Sequence, residues 1–322
     1  MVTVKRYSSP LAKAWNSFLP EAKNATFLFH RDFMEYHTDR FEDHSLTLWE
    51  GEHLVGLLPA NQVENQVHSH QGLSYGGLVV KGDAKFPLIH ACMQAALAFL
   101  HAEGIESLHY KKPPRFYHIQ GSDEVDQLFY WLEAKLTRRD TALAIPLAEP
   151  LPYQTRRQRA ITQAKKKNVV VEEAHGLVGF WEKVLTSNLQ ARHGVDPVHT
   201  AEEIMQLKRK FPKEIRQFNA YLGVDLVAGT TIFETPTVAH AQYIGSTPAG
   251  RESGALDALF HKLLTQVYPQ KQFFDFGIVN EEAGQKMNRG LLDWKEGFGG
   301  RAFAHDFYRI ETANHPKLDN RW

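Results

Sequence analysis

The feature that most constrains this chain is an order of elements that its hydrophobic pattern writes twice. In the first pass, helical spacing over residues 11–19 and from His30 past Met34 and Tyr36 precedes two strand-like runs within residues 45–60. The turn signal Glu50-Gly51-Glu52-His53 joins those runs as a hairpin. A third strand through residues 66–70, a long apolar helix over 88–103 closed by Gly104 and a strand at 107–110 follow. A helix over 123–138 and a strand at 141–147 complete the pass. Pro146, Pro150 and Pro152 then punctuate the chain, and the order returns.

The second pass opens with a basic helix at 154–167, a strand at 169–173 and a helix at 177–190. Thr200, with Glu203 three residues on, reads as the cap of a helix running to Lys210. Strands at 215–222, 225–234 and 237–244, a helix at 254–268 and a strand at 272–277 follow. No residue-level repeat is visible, so the recurrence implies duplication of a structure whose sequence has since diverged. The expected fold is α+β, with domains at 1–150 and 151–322, each a mostly antiparallel sheet flanked by helices. The last strand is expected to be able to return to the first domain. At 322 residues the chain suits two cores of roughly 150 residues each.

Hydrophobic residues make up 43% of the chain and charged residues 23%, enough apolar material for both cores without a metal or disulfide. Lys plus Arg equals Asp plus Glu at 37 each, which argues against a surface coated for sequence-independent nucleic-acid binding. Cys92 is the single cysteine and lies in the apolar helix, where it reads as a small buried residue. The N-terminal MVTVKRYSSPLAKAW lacks the apolar core of a signal peptide, and no run approaches the roughly 20 apolar residues of a membrane span. A cytoplasmic protein is expected.

Two constellations carry chemistry. The first runs from the strand Ala239-His240-Ala241-Gln242-Tyr243-Ile244 through Arg251-Glu252-Ser253-Gly254-Ala255-Leu256 into a helix. A glycine-bearing loop before a helix leaves unpaired N–H groups that attract phosphate or an oxyanion. This order resembles the acyl-coenzyme A loop of the GNAT acetyltransferases, with Leu256 where that family usually has Gly or Ala. The resemblance implies a donor site at Tyr243, Ile244, Arg251, Ser253, Gly254 and Ala255, for acetyl-coenzyme A or another acyl-coenzyme A.

The second is the tail, Asp275-Phe276-Gly277, Asn280, Arg289 and Trp294-Lys295-Glu296-Gly297-Phe298, closing on Gly300-Arg301. Its order of strand, polar loop and Lys-x-x-Phe-Gly resembles the C-terminal signature of the Fem family of tandem-GNAT transferases. The basic helix (Arg156, Arg157, Arg159 and Lys165 to Lys167) and a final strand at 306–310 extend that resemblance over most of the chain. Fem enzymes transfer amino acids from aminoacyl-tRNA to an amine on a cell-wall precursor, so the resemblance makes aminoacyl-tRNA the alternative donor and tRNA a conceivable partner. It also implies a catalytic Lys295 beside the reacting carbonyl, where a positioned ammonium stabilises an oxyanion. Asp275, at a strand end, can orient an amine or take its proton, or simply cap the loop. Arg289 and Arg301 suit bidentate grip on phosphate or carboxylate.

Acceptor-side candidates are His70, Tyr75 and Lys111 in the first domain and His240, Asn280, Arg289 and Arg301 in the second. Arg192, His193 and His199 are read as loop residues near donor or acceptor. His68 and His70, two apart on an expected strand, lack a third ligand at convincing spacing, so no metal is expected. The expected function is acyl transfer to an amine on an amino sugar, nucleotide sugar or peptide precursor of an envelope polymer. Fem-type aminoacyl transfer, or a catalytically silent module that binds such a polymer, remain as alternatives.

Overall fold

The computed structural model describes residues 1–186 and 199–321. The chain divides into two compact units, Met1–Asp140 with Ala304–Trp322, and Thr141–Phe303.

In the first unit, Val2–Arg6, Leu46–Glu50, His53–Leu58 and Val79–Val80 form an antiparallel sheet. Gly51 turns the hairpin at φ +59°. A second ladder begins at the antiparallel pair Asn61–Val63 and Gln66–His68. The helix Phe86–Ala102 then crosses over, so that Ser107–Lys111 lies parallel to Gln66–His68. Alternation along the strands and the apolar face of this helix close one core around Leu48, Val67, Cys92, Leu97 and Leu108. Cys92 is fully buried there, and burial pushes its thiol up to about 12.

The second unit repeats the plan. Val169–Ala174, Ile215–Leu222, Asp225–Glu234 and Val238–Ser246 form an antiparallel run. Helix Ala255–Lys262 crosses over, and Phe273–Ile278 lies parallel to Val238–Ser246. The strand Lys135–Pro146 pairs antiparallel with it through Ala142 to Pro146. Phe218, Ala241, Phe260, Phe274, Phe276 and Phe298 fill the core beneath the crossover helix. The Thr200 capping box forms as expected and opens Ala201–Lys210.

Three expectations change. The helix expected over 123–138 spans only Glu124–Trp131, because beyond Leu132 no apolar stripe continues and Glu133 takes φ +54°. Residues from Lys135 onward instead enter a strand. The helix expected over 254–268 ends at Lys262 and continues as a wider turn over Leu263–Val267. Strand Gln66–His68 stops before His70, so His68 and His70 do not share a strand face. The helix expected over 177–190 is seen from Val178 to Thr186; its last residues, with Arg192 and His193, lie outside the described residues.

Candidate active site

The parallel strands Val238–Ser246 and Phe273–Ile278 pair at three positions, ending at His240 opposite Asp275, and then part. Phe274 and Phe276 point into the aromatic core, so Asp275 between them points to the opposite face, where His240 also lies. Asp275 Oδ2 is 2.8 Å from His240 Nδ1, while its Oδ1 accepts from the Gly277 N–H at 2.7 Å. Gly277 holds the turn at φ +74°, and a Cβ there would meet His240 Cε1 at 3.3 Å. His240 Nε2 lies 3.1 Å from Gln242 Oε1. Gln242 sits where the register against Asp225–Glu234 shifts, a bulge that turns its amide toward the ring.

An ionised carboxylate only accepts, so His240 Nδ1 carries a proton. With Gln242 Oε1 as its second neighbour the ring suits imidazolium. Half a turn of that amide presents NH₂ to Nε2 and suits the neutral ring. The His240 side chain is 16% exposed and Asp275 3%, so the ring keeps some access to solvent while the carboxylate stays shielded.

Lys295 comes from helix Arg289–Gly297, opened by the Asn288 side chain accepting from Leu291 N–H at 2.9 Å. Trp294 and Phe298 pack on Phe276 at 5.5 and 5.8 Å between ring centroids, which fixes the helix against the Asp275 strand. The Lys295 ammonium donates to the carbonyls of Gly277 at 2.9 Å and Ile278 at 2.7 Å. Burial pushes its pKa down to about 8, opposed by the nearby Asp275 carboxylate. Asp275, His240, Gly277 and Lys295 therefore form one cluster at the point of strand separation.

A cavity of about 600 Å³ opens beside the same strand, lined by Ile244, Ser246, Arg251, Asp257, Arg157 and Trp294 among others. The Gly254 loop forms its wall, though differently from an open phosphate cradle. Thr247 Oγ1 accepts from Gly250 N–H at 3.1 Å, and Gly254 N–H is directed to Arg251 O at 3.3 Å. Arg251 donates back to Ser246 O at 2.6 Å. Gly254 takes φ +74°, and a Cβ there would come within 2.3 Å of Ala160 O, so helix Thr155–Lys166 demands the glycine. Ser253 and Ala255 are fully buried, with Ser253 Oγ donating to Gly250 O at 3.1 Å. Asp257 faces the cavity paired to Arg157 at 2.6 Å, and burial raises its carboxyl to about 6 against that guanidinium. Tyr243 OH meets His199 Nδ1 in the interior, and burial raises its pKa.

The remaining candidates separate. Asn280 is structural: its Oδ1 accepts from Thr141 N–H at 2.6 Å and its Nδ2 donates to Gly284 O at 3.3 Å. Arg289 and Arg301 are exposed, and Arg301 donates to Gly300 O at 2.7 Å. In the first unit His70 and Lys111 line a smaller cavity, whereas Tyr75 is buried, packed on Tyr117 and donating to Thr26 Oγ1 at 3.1 Å. The sequence reading missed Gln242, Asp257, the pairing of Asp257 with Arg157, and the direct contact of His240 with Asp275. An Arg–Asp pair a hundred residues apart has no local signal, although Asp257 does follow the singled-out Gly254. Among the described residues no group of three His, Cys, Asp or Glu is placed to hold a metal, and no helix is long and apolar enough to cross a membrane.

No family model and no curated protein match the chain. Solved structures do. The chain is similar to FemX with a TM-score of 0.69 at 11% identity, covering 98% of this chain and 99% of that one. It is similar to the C-terminal domain of a putative lysylphosphatidylglycerol synthetase from Agrobacterium fabrum, with a TM-score of 0.61 at 10% identity over 97% and 96% of the chains. A tandem GNAT protein from the clavulanic acid biosynthesis pathway gives 0.51 at 12% identity over 97% and 99%. Matches of this coverage at this identity establish architecture, and the chain has the tandem GNAT fold of the Fem-like kind.

Proposed function

We propose that the second unit transfers an acyl group to an amine. The amine nitrogen attacks the acyl carbonyl carbon, its proton passes to His240 Nε2, and the leaving oxygen or sulfur departs with a proton returned from the imidazolium. Asp275 positions the ring and balances its charge, and Lys295 supplies positive charge where the oxyanion develops. The single thiol, Cys92, is buried in the other unit and takes no part. The observation that carries this reading is the 2.8 Å contact of His240 with Asp275 at the last paired position of the parting strands.

The donor fills the 600 Å³ cavity. Its chemistry favours an aminoacyl ester, as on charged tRNA, over acyl-coenzyme A. A pyrophosphate needs open N–H groups, while here Gly250 N–H and Gly254 N–H are engaged within the loop. The acyl-coenzyme A reading keeps one observation in its favour, the strand, Arg251-x-x-Gly254, helix order itself. The acceptor is an amine on an amino sugar, nucleotide sugar or peptide precursor. A thermal-shift comparison of charged tRNA, uncharged tRNA, acetyl-coenzyme A and coenzyme A tests the donor. A shift with charged tRNA that exceeds the uncharged control supports it; a shift only with coenzyme A species overturns it.

A further inference from the structure

The first unit contains its own version of the parting strands. Gln66–His68 and Ser107–Lys111 run parallel for three pairs, the last being His68 opposite His109, where the second unit has His240 opposite Asp275. The two imidazoles stack at 4.6 Å with 20° between planes instead of forming a proton-sharing dyad. Beyond them lies a cavity of about 170 Å³, lined also by Lys111, Arg138 and Phe307. That space equals about six waters, enough for a phosphate or a carboxylate with its first carbons.

Charge around this cavity does not balance. The Lys111 ammonium and the Arg138 guanidinium both lie over the Phe307 ring, 5.9 and 4.7 Å from its centroid. Asp140, 1% exposed, is held by Arg138 through Nε at 3.0 Å and Nη2 at 2.7 Å. Lys111 donates to an uncharged acceptor, the Leu73 carbonyl. Among the described residues no acidic side chain lines the cavity. A partly buried ammonium and a guanidinium one-third exposed thus share one carboxylate, an arrangement that an anion would complete. The depressed Lys111 pKa, about 8 through burial and then Arg138, reports the same imbalance.

We propose that this cavity is a binding site for a compact oxyanion, a phosphate or carboxylate group, held by Lys111 and Arg138 with His68 and His109 as its wall. The site stands independently of the chemistry assigned to the second unit. It takes either a free anion or the anionic arm of a larger molecule, and the two sources are separable.

The test titrates the full chain with inorganic phosphate, acetate and phenyl phosphate against chloride at matched ionic strength, reading the His68 and His109 ring resonances. The expected result is saturable movement of both rings with at least one oxyanion and none with chloride, weakened about tenfold or more by Lys111→Met. Should that variant fail to fold, Arg138→Lys, which keeps the charge facing Asp140 but removes the fork, is expected to weaken binding likewise. Phenyl phosphate binding at least as well as inorganic phosphate assigns the site to a group on a larger molecule; the reverse order assigns it to a free ion. Rings that do not respond to any oxyanion, or that respond equally in a folded variant, overturn the proposal.

Discussion

Replacing Asp275 by Asn separates the chemical role of the cluster from its structural one. The carboxylate makes two contacts, with Gly277 N–H at 2.7 Å and His240 Nδ1 at 2.8 Å. The Asn carbonyl preserves the first. At the second, NH₂ replaces an acceptor, so Nδ1 must give up its proton and accept, and the ring proton moves to Nε2, where Gln242 Oε1 receives it at 3.1 Å. A charged hydrogen bond worth about 1.5–3 kcal/mol becomes a neutral one worth about 1 kcal/mol, so the expected loss of stability is about 1 kcal/mol. The functional loss is larger, because a ring protonated at Nε2 cannot take the amine's proton. Loss of general-base assistance lowers kcat by about 10²–10⁴ with little change in KM. Long-range nitrogen–proton NMR of the ring reads the tautomer directly, and urea unfolding reads the stability. An Nδ1–H tautomer persisting in Asp275→Asn, or kcat unchanged, would refute the assignment of His240 as base.

Three further outcomes follow from the same geometry. Lys295→Met strands the Gly277 and Ile278 carbonyls at about 1–3 kcal/mol each, offset in part because a desolvated ammonium is also removed. A modest loss of urea stability with a severe loss of turnover is expected, and wild-type turnover would sink the oxyanion role. Gly254→Ala places a methyl 2.3 Å from Ala160 O at φ +74°, so thermal unfolding should show at least the 1–2 kcal/mol typical of a left-handed non-glycine residue; an unchanged Tm would mean that packing does not demand the glycine. His70 and His118, held by burial at about 3 and about 4, stay neutral when folded but protonate when unfolded. Their contribution is therefore complete above the ordinary value of 6.5 and lost as pH falls toward their folded values, at up to about 1.4 kcal/mol per pH unit for each. Urea titrations across pH should show this slope, and His70→Gln should reduce it; an unaltered slope would contradict the burial argument.

Local grammar carried much of the fold. The Thr200–Glu203 box, the Gly51 hairpin and the helix ending before Gly104 are written in neighbouring residues, and each takes the expected form. Two passes of the same element order were enough to expect the duplication. What neighbouring residues cannot express is register. Asp275 stood out as a strand-end carboxylate and His240 as a strand histidine, yet their contact depends on a parallel pairing across a crossover helix. Gly254 shows the converse. Its sequence context suggested an anion loop, while its backbone conformation serves the approach of Ala160, more than ninety residues earlier. Residues beyond Leu132 carry no local mark of the strand they enter; pairing partners distant in sequence draw them into it.

The central claim is best tested by the rate at which the protein passes an acyl group to a simple amine. With hydroxylamine as acceptor, formation of the hydroxamate from charged tRNA should exceed the uncatalysed rate in the wild-type protein and fall by about 10²–10⁴ in His240→Ala. Acceleration that survives His240→Ala, or that requires acetyl-coenzyme A and ignores charged tRNA, would contradict the account.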